Sequence, residues 1–171
     1  VQRGEILAVA GVQGNGQSEL AEVILGLRTP DSGTITLEGK DITRANPRKS
    51  LNSGVGFVPE DRMTDGMVSS FSIADNLVLD QFNAPEFAWG PSRKLGAVAR
   101  NARAKQEEYD IRLTSITDPI SSLSGGNQQK VVVAREMSRE LKLLVVNQPT
   151  RGVDVGSIEF IHRRIVEVRD Q

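Results

Sequence analysis

The sequence predicts an α/β fold with a parallel sheet, and a few patterns carry that expectation. An apolar run, Ile6-Leu7-Ala8-Val9-Ala10, leads into the glycine-rich stretch Gly11-Val12-Gln13-Gly14-Asn15-Gly16-Gln17-Ser18 and then a helix-like segment. Two further runs, Val55–Val58 and Leu143–Val146, are short, continuous and apolar. That is the pattern of strands buried on both faces. The glycine-rich loop and the polar loop over 147–154 both follow such runs. Open parallel sheets bind ligands beyond the carboxyl ends of their strands.

Taken in order, residues 4–10 read as a buried strand bounded by glycine. Residues 18–27 read as a helix with Leu20, Ile24 and Leu27 at helical spacing. Pro30-Asp31-Ser32-Gly33 is turn chemistry. Thr34-Ile35-Thr36-Leu37 alternates as a second strand, closed by a Glu38-Gly39-Lys40 turn. Pro47–Asn52 is a short helix with proline in its first turn. Pro59 stops the strand Val55–Val58.

Strand signals nearly vanish between 61 and 122. Ser72-Ile73-Ala74-Asp75 resembles a capping box that opens a helix through Leu79. Residues 83–92, with Pro85, Gly90 and Pro91, read as a loop. Residues 94–109 form a long charged helix, with a weak apolar face at Ala97, Val98 and Ala102. This middle third is predicted as a surface helical insert. Leu123-Ser124-Gly125-Gly126-Asn127-Gln128 then opens a helix through Met137. Leu143–Val146 is a strand of the fully buried type. Ile158, Ile161, Ile165 and Val168 stripe a last helix.

The chain divides into 1–62, a core with the glycine loop; 63–122, the helical subdomain; and 123–171, a helix, strand and helix. Its two ends read as cut. At 171 residues the chain is long enough for a real core. Hydrophobic residues are 38% and charged residues 25%, within the globular range once glycine counts as apolar. A net charge of −1 gives no bulk basic surface for nucleic acid. The absence of cysteine rules out disulfides and cysteine metal sites. No apolar run approaches the roughly 20 residues needed to span a bilayer.

Strand, glycine turn and helix are the context of a phosphate cradle, in which backbone N–H groups and a helix N-terminus face an anion. The motif is Gly-x-x-x-x-Gly-Lys-Ser/Thr. Here Gln17 stands where the lysine belongs.

Three stretches in register resemble the nucleotide-binding domain of ABC ATPases, a P-loop NTPase fold. Residues 11–18 match the Walker A position. Leu123 to Gln128 match the LSGGQ signature, read here as LSGGNQ. The strand 143–146 with Asn147, Gln148, Gly152 and Asp154 matches Walker B and the D-loop. The runs 8–20, 57–62 and 123–130 are similar to the second nucleotide-binding half of sugar-type importers, and the run 148–162 looks most like the nucleoside-uptake branch.

The resemblance implies a nucleotide (ATP with Mg²⁺) at Gly11, Gln13, Gly14, Asn15, Gly16, Gln17, Ser18 and Glu19, with Ser18 as a magnesium ligand. It places Glu60 at the Q-loop position, where the family carries glutamine. Asn147 stands for the family's metal-holding aspartate and Gln148 for its catalytic glutamate. So no catalytic position is intact: Gln17, Asn147 and Gln148 are all neutral amides. A neutral hydrogen bond is roughly half as strong as a charge-assisted one. A general base is typically worth about 10²–10⁴-fold in rate.

The signature, by contrast, is intact at Leu123, Ser124, Gly125, Gly126, Asn127 and Gln128. In the family each ATP lies between the Walker motifs of one half and the signature of the other. The implied partners are that second half, membrane permease subunits and, indirectly, a substrate-binding protein, at the cytoplasmic face of the membrane. No nucleic acid is implied.

Other readings are a competent ATPase in which Arg62 or Arg151 replaces the lysine, a non-hydrolysing interaction module, or a soluble ABC protein. A Glu60–Arg62 pair would offset the extra charge at the Q-loop position. A dinucleotide site fits poorly, because Glu19 sits where a third small residue is required. His162 reads as a partly exposed helix residue.

Overall fold

The computed structural model describes residues 1–12 and 14–170. Gln13, a predicted nucleotide-binding residue, lies outside them. Helix α1 (Gln17–Leu25) follows the glycine loop. A hairpin of β1 (Thr36–Leu37) and β2 (Lys40–Asp41) comes next. Glu38 and Gly39 both have positive φ, 48° and 76°, as a two-residue type I′ turn requires. Helix α2 (Pro47–Asn52) starts at Asn46, whose side chain accepts from Lys49 N. Strand β3 (Val55–Val58) leads into a π-helical turn over Arg62–Gly66.

The insert holds α3 (Ile73–Asn76), a hairpin of β4 (Ala88–Trp89) and β5 (Ser92–Arg93), and α4 (Leu95–Glu108). The chain then forms α5 (Gly125–Met137), β6 (Leu143–Val146) and α6 (Val155–Arg169). Strands β3 and β6 pair in parallel, Val55 opposite Leu143 through Val58 opposite Val146. This places Pro59-Glu60 and Asn147-Gln148 side by side at the carboxyl end of the sheet.

Helix α5 is the axis of the core. Val131, Val132, Val133 and Ala134 are fully enclosed, so three successive valines bury all sides of one helix. Fully burying each such side chain is worth about 1.5–3 kcal/mol. Around them pack Val58, Ile73, Leu77 and Val78, then Val98, Ala102 and Tyr109 of the insert, and Ile161 of α6. A smaller cluster of Ile42, Ala45 and Val55 holds α1 and the first hairpin to the other side of the sheet.

Several expectations change. Residues 4–10 are not a strand: they are exposed and pair with no strand among the described residues. Apolar pattern signals a demand for burial, but a strand also needs a backbone partner. The same open side leaves β6 half-buried rather than fully buried. On α1 the inward residue is Ala21, backed by Ile24 and Leu25, while Leu20 and Leu27 face solvent. The helix stops at Gly26 (φ 77°), before Leu27. Of the predicted strand 34–37 only Thr36–Leu37 forms, because its partner is just as short.

Ser72 caps α3 as predicted, but the helix ends at Asn76, whose side chain turns back to Val68, Phe71 and Ser72. The predicted loop 83–92 overlaps the β4–β5 hairpin, which runs on to Arg93, turns on Gly90-Pro91 and is anchored by buried Phe87 and Ala88. Val98 and Ala102 of α4 are buried, His162 is exposed, and Ile161 is the fully buried member of the α6 stripe. Among the described residues no helix is long and apolar enough to cross a membrane.

Candidate functional site

The glycine loop has the backbone a phosphate cradle needs. Gly14 and Gly16 have φ of 88° and 99°, conformations that favour glycine. Gly16 occupies the N-cap of α1 and offers no side chain, so no cap side chain takes the first N–H donors of the helix. Gly11, Gly14, Asn15, Gly16, Ser18 and Glu19 are exposed.

Gln17 uses its amide inside this loop. Its Nε2 donates to Val12 O and its Oε1 accepts from Asn15 N, each at 3.2 Å. Any Cβ on Gly11 would meet that same Nε2. A loop N–H available to an anion is thus taken by the side chain standing at the lysine position.

At the carboxyl end of β6, Asn147 N donates to Val58 O at 2.9 Å and prolongs the ladder. Gln148 is exposed with φ 45°, and Arg151 N closes the turn on its carbonyl at 3.0 Å. Glu60 pairs with Arg151 rather than with Arg62, which corrects the expected Glu60–Arg62 pair. Arg151 reaches across from the loop after β6, and Arg62 turns the other way. Arg62 Nη1 donates to Arg151 O at 3.1 Å and its Nε to Gln128 Oε1 at 3.3 Å. Both guanidinium groups suggested as lysine substitutes are therefore engaged in this corner.

The signature turn is set by its own side chains. Ser124 caps α5: its Oγ accepts from Asn127 Nδ2 at 3.0 Å and from Asn127 N at 3.5 Å. Asn127 Oδ1 accepts from Arg112 N at 2.8 Å, tying the turn to the insert. Leu123 is held from below, its carbonyl accepting from the buried Gln128 Nε2 at 3.1 Å. Ser124 itself is exposed. Gly125 and Gly126 sit where neighbours approach closely. A Cβ on Gly125 would lie 3.1 Å from Gly152 O, and one on Gly126 would run into Asp154 and Ser157.

Asp154 caps α6, accepting from Ser157 N at 3.0 Å and Ser157 Oγ at 2.8 Å. The Ser157 hydroxyl, then its backbone N–H, hold the Asp154 carboxyl below its ordinary value. Asp61 is lowered in the same way by the N–H groups of Met63 and Thr64.

The fold thus joins the loop after β3, the signature and the loop after β6 into one corner. The glycine loop keeps its Gln17 bonds to itself. Sequence reasoning missed the linking roles of Arg62, Arg151 and Ser157. Their signal was weak: polar residues beside recognised motifs, with no spacing of their own. The groups at the positions that hold magnesium in the resemblance are Ser18 and Asn147, both neutral. No cluster of three acidic or imidazole side chains occurs among the described residues. Magnesium prefers carboxylates with phosphate oxygens. This donor set suits phosphate and fits a divalent cation poorly.

A family profile described as ABC transporter matches residues 1–151. The chain belongs to the ABC transporter family. It is 47% identical over 171 residues to the nucleoside import ATP-binding protein NupA of Lactococcus lactis subsp. cremoris (strain MG1363), covering 100% of this chain and 34% of that protein. It is 48% identical over 171 residues to the guanosine import ATP-binding protein NupO of Bacillus subtilis (strain 168), covering 99% and 33%. The chain spans about a third of the length of these relatives.

Its fold is similar to that of the ATP-binding cassette MJ0796, solved as a dimer in a post-hydrolysis state bound to ADP and Pi. The TM-score is 0.81 at 18% identity, over 99% of this chain and 72% of that one. The expected P-loop NTPase fold of the ABC type therefore holds, though the first predicted strand does not form.

Proposed function

We propose that this chain is the degenerate nucleotide-binding half of an ABC importer ATPase for nucleosides or simple sugars, and that its signature completes the ATP site of a partner half. One contrast carries the reading. Gln17 spends its amide inside its own loop, whereas Ser124 stands exposed at the N-terminus of the 13-residue α5. Gln17, Asn147 and Gln148 together remove charge and the proton acceptor from one nucleotide position. A γ-phosphate reaching Ser124 from a partner meets a hydroxyl and the free N–H groups of a helix start, which favour negative charge.

Catalysis of phosphoryl transfer is mostly positioning and charge stabilisation. In this account Ser124, Gly125 and Gly126 orient and stabilise. The proton acceptor belongs to the partner half, because the Gln148 amide cannot take a proton. Magnesium, which neutralises phosphate charge when bound, belongs to the partner's site as well. The relatives, named as nucleoside and guanosine import proteins, support the solute class. Permease subunits and a substrate-binding protein complete the assembly, with this chain at the cytoplasmic face of the membrane.

The test is ATP hydrolysis by this chain alone and mixed with a half whose lysine, aspartate and glutamate are intact. Negligible turnover alone and a gain on mixing are expected. Robust turnover by the chain alone overturns the reading.

A further inference from the structure

Arg62 joins the first turn of α5 and the loop after β6, 66 and 89 residues away from it. Its own backbone is pinned: Asp61 Oδ1 accepts from Met63 N at 2.8 Å and from Thr64 N at 3.3 Å, which starts the π-helical turn. From that base the guanidinium uses separate edges. Nε holds Gln128 Oε1, and Gln128 in turn holds the Leu123 carbonyl of the signature. Nη1 holds the Arg151 carbonyl, and Arg151 pairs with Glu60. Nη2 lies against Gly125, so that a Cβ there would sit 2.6 Å from it. Gly152 O closes the same gap from the other side.

We propose that Arg62 is a positioning residue: it sets the signature turn and the loop over 151–153 as one unit, so that both meet the partner's nucleotide in a fixed relation. The proposal rests on the trans-acting reading of the signature given above. Arginine suits the task because its planar fork donates in several fixed directions. Lysine offers a single mobile ammonium on a flexible stem. Gln128 is buried and Arg62 half-buried, so the Nε contact is partly shielded from water, whereas the Nη1 bond to Arg151 O is exposed.

The experiment uses the full-length protein that carries this chain, as wild type, Arg62→Ala, Arg62→Lys and Ser124→Ala. Hydrogen exchange is read over 123–128 and 150–153, together with kcat and KM for ATP. Arg62→Ala is expected to speed exchange in both stretches while β6 and the body of α6 keep their protection. It is expected to lower kcat about 10- to 100-fold, the scale of a small misplacement, with KM within about two-fold. Arg62→Lys is expected to restore neither. If Arg62→Ala loses protection throughout the fold, Arg62→Lys, which keeps the charge and the stem, is read in its place.

Faster exchange in only one stretch, or in neither, overturns the proposal, and so does an unchanged kcat. Ser124→Ala separates it from the reading beneath. If kcat ignores Ser124→Ala while Arg62→Ala still loosens both stretches, the trans-acting signature fails and the clamp stands. If Ser124→Ala lowers kcat and Arg62→Ala moves neither stretch, the clamp fails alone.

Discussion

At the scale of single residues, the glycine loop is governed by where one amide goes. Gln17 bridges Val12 O and Asn15 N, so an incoming phosphate must displace it and gains no full charge in return. Gln17→Lys removes the bridge and adds the charge. ATP affinity measured by titration should rise about 10-fold, since charge-assisted hydrogen bonds are worth about 1.5–3 kcal/mol against roughly 1 for neutral ones. Unchanged affinity would mean that the loop is not a phosphate site.

The caps make a second prediction at this scale. Asp154 and Asp61 are held below the ordinary aspartate value of 3.8. A lowered folded pKa gives stability that is complete above the unfolded value and drains as pH falls through the folded one. Asp80 runs the opposite way. Burial, then the nearby Glu136, raise it, so its protonation in the folded state adds stability as pH falls. Asp154→Asn keeps a good cap and removes one titration. The melting temperature of this variant should fall less steeply with acid below pH 3.8. An acid limb identical to wild type contradicts the assigned cause.

At the scale of elements, the insert is joined to the sheet through charges at the end of α5 and just beyond it. Glu136 accepts from Arg135 Nε at 2.9 Å, Arg139 Nη2 at 2.8 Å and Phe57 N at 3.1 Å. Arg139 Nη2 also donates to Val55 O at 3.3 Å. Side chains thereby satisfy backbone groups of β3 that face no strand. Asp80, in the turn after α3, meets Arg139 Nε at 2.9 Å as an ion pair without hydrogen-bond alignment. Removing one charge from a buried cluster typically costs about 3–5 kcal/mol. Glu136→Gln should therefore destabilise by about 3 kcal/mol in denaturant unfolding. A loss below about 1 kcal/mol would show that the cluster is not coupled.

None of this cluster was legible in the sequence, where Arg135 and Glu136 look like ordinary helix surface and Arg139 like a polar residue of the following loop. What was legible were elements whose boundaries are set locally: the Asn46–Pro47 start of α2, the Ser124 cap of α5, and Pro59 ending β3. What was not legible depended on partners distant in sequence. The run 4–10 has strand composition without a ladder, and the 88–93 hairpin is too short to show alternation. Among the proposed site residues, the signature and the three amides come from motif position alone. The Glu60–Arg151 pair was not readable, because it joins positions 91 apart.

At the scale of the whole molecule, the same partner logic appears on the surface. Ile6, Leu7, Val9 and Val12 are 51%, 60%, 61% and 75% exposed in one stretch beside the glycine loop. Contiguous exposed apolar residues drive association. This chain on its own should self-associate in light scattering, and Leu7→Lys with Val9→Lys should reduce the scatter. A monodisperse monomer for the unaltered chain would contradict that expectation.

In the proposed reading two halves share one working ATP. The direct test is turnover by a mixture of this chain with a half that keeps lysine, aspartate and glutamate, comparing Ser124 with Ser124→Arg. Loss of a preorganised donor at the developing charge typically costs about 10²–10³-fold. A fall of about 100-fold or more on Ser124→Arg is predicted, and turnover within about two-fold of the unaltered mixture would contradict the account.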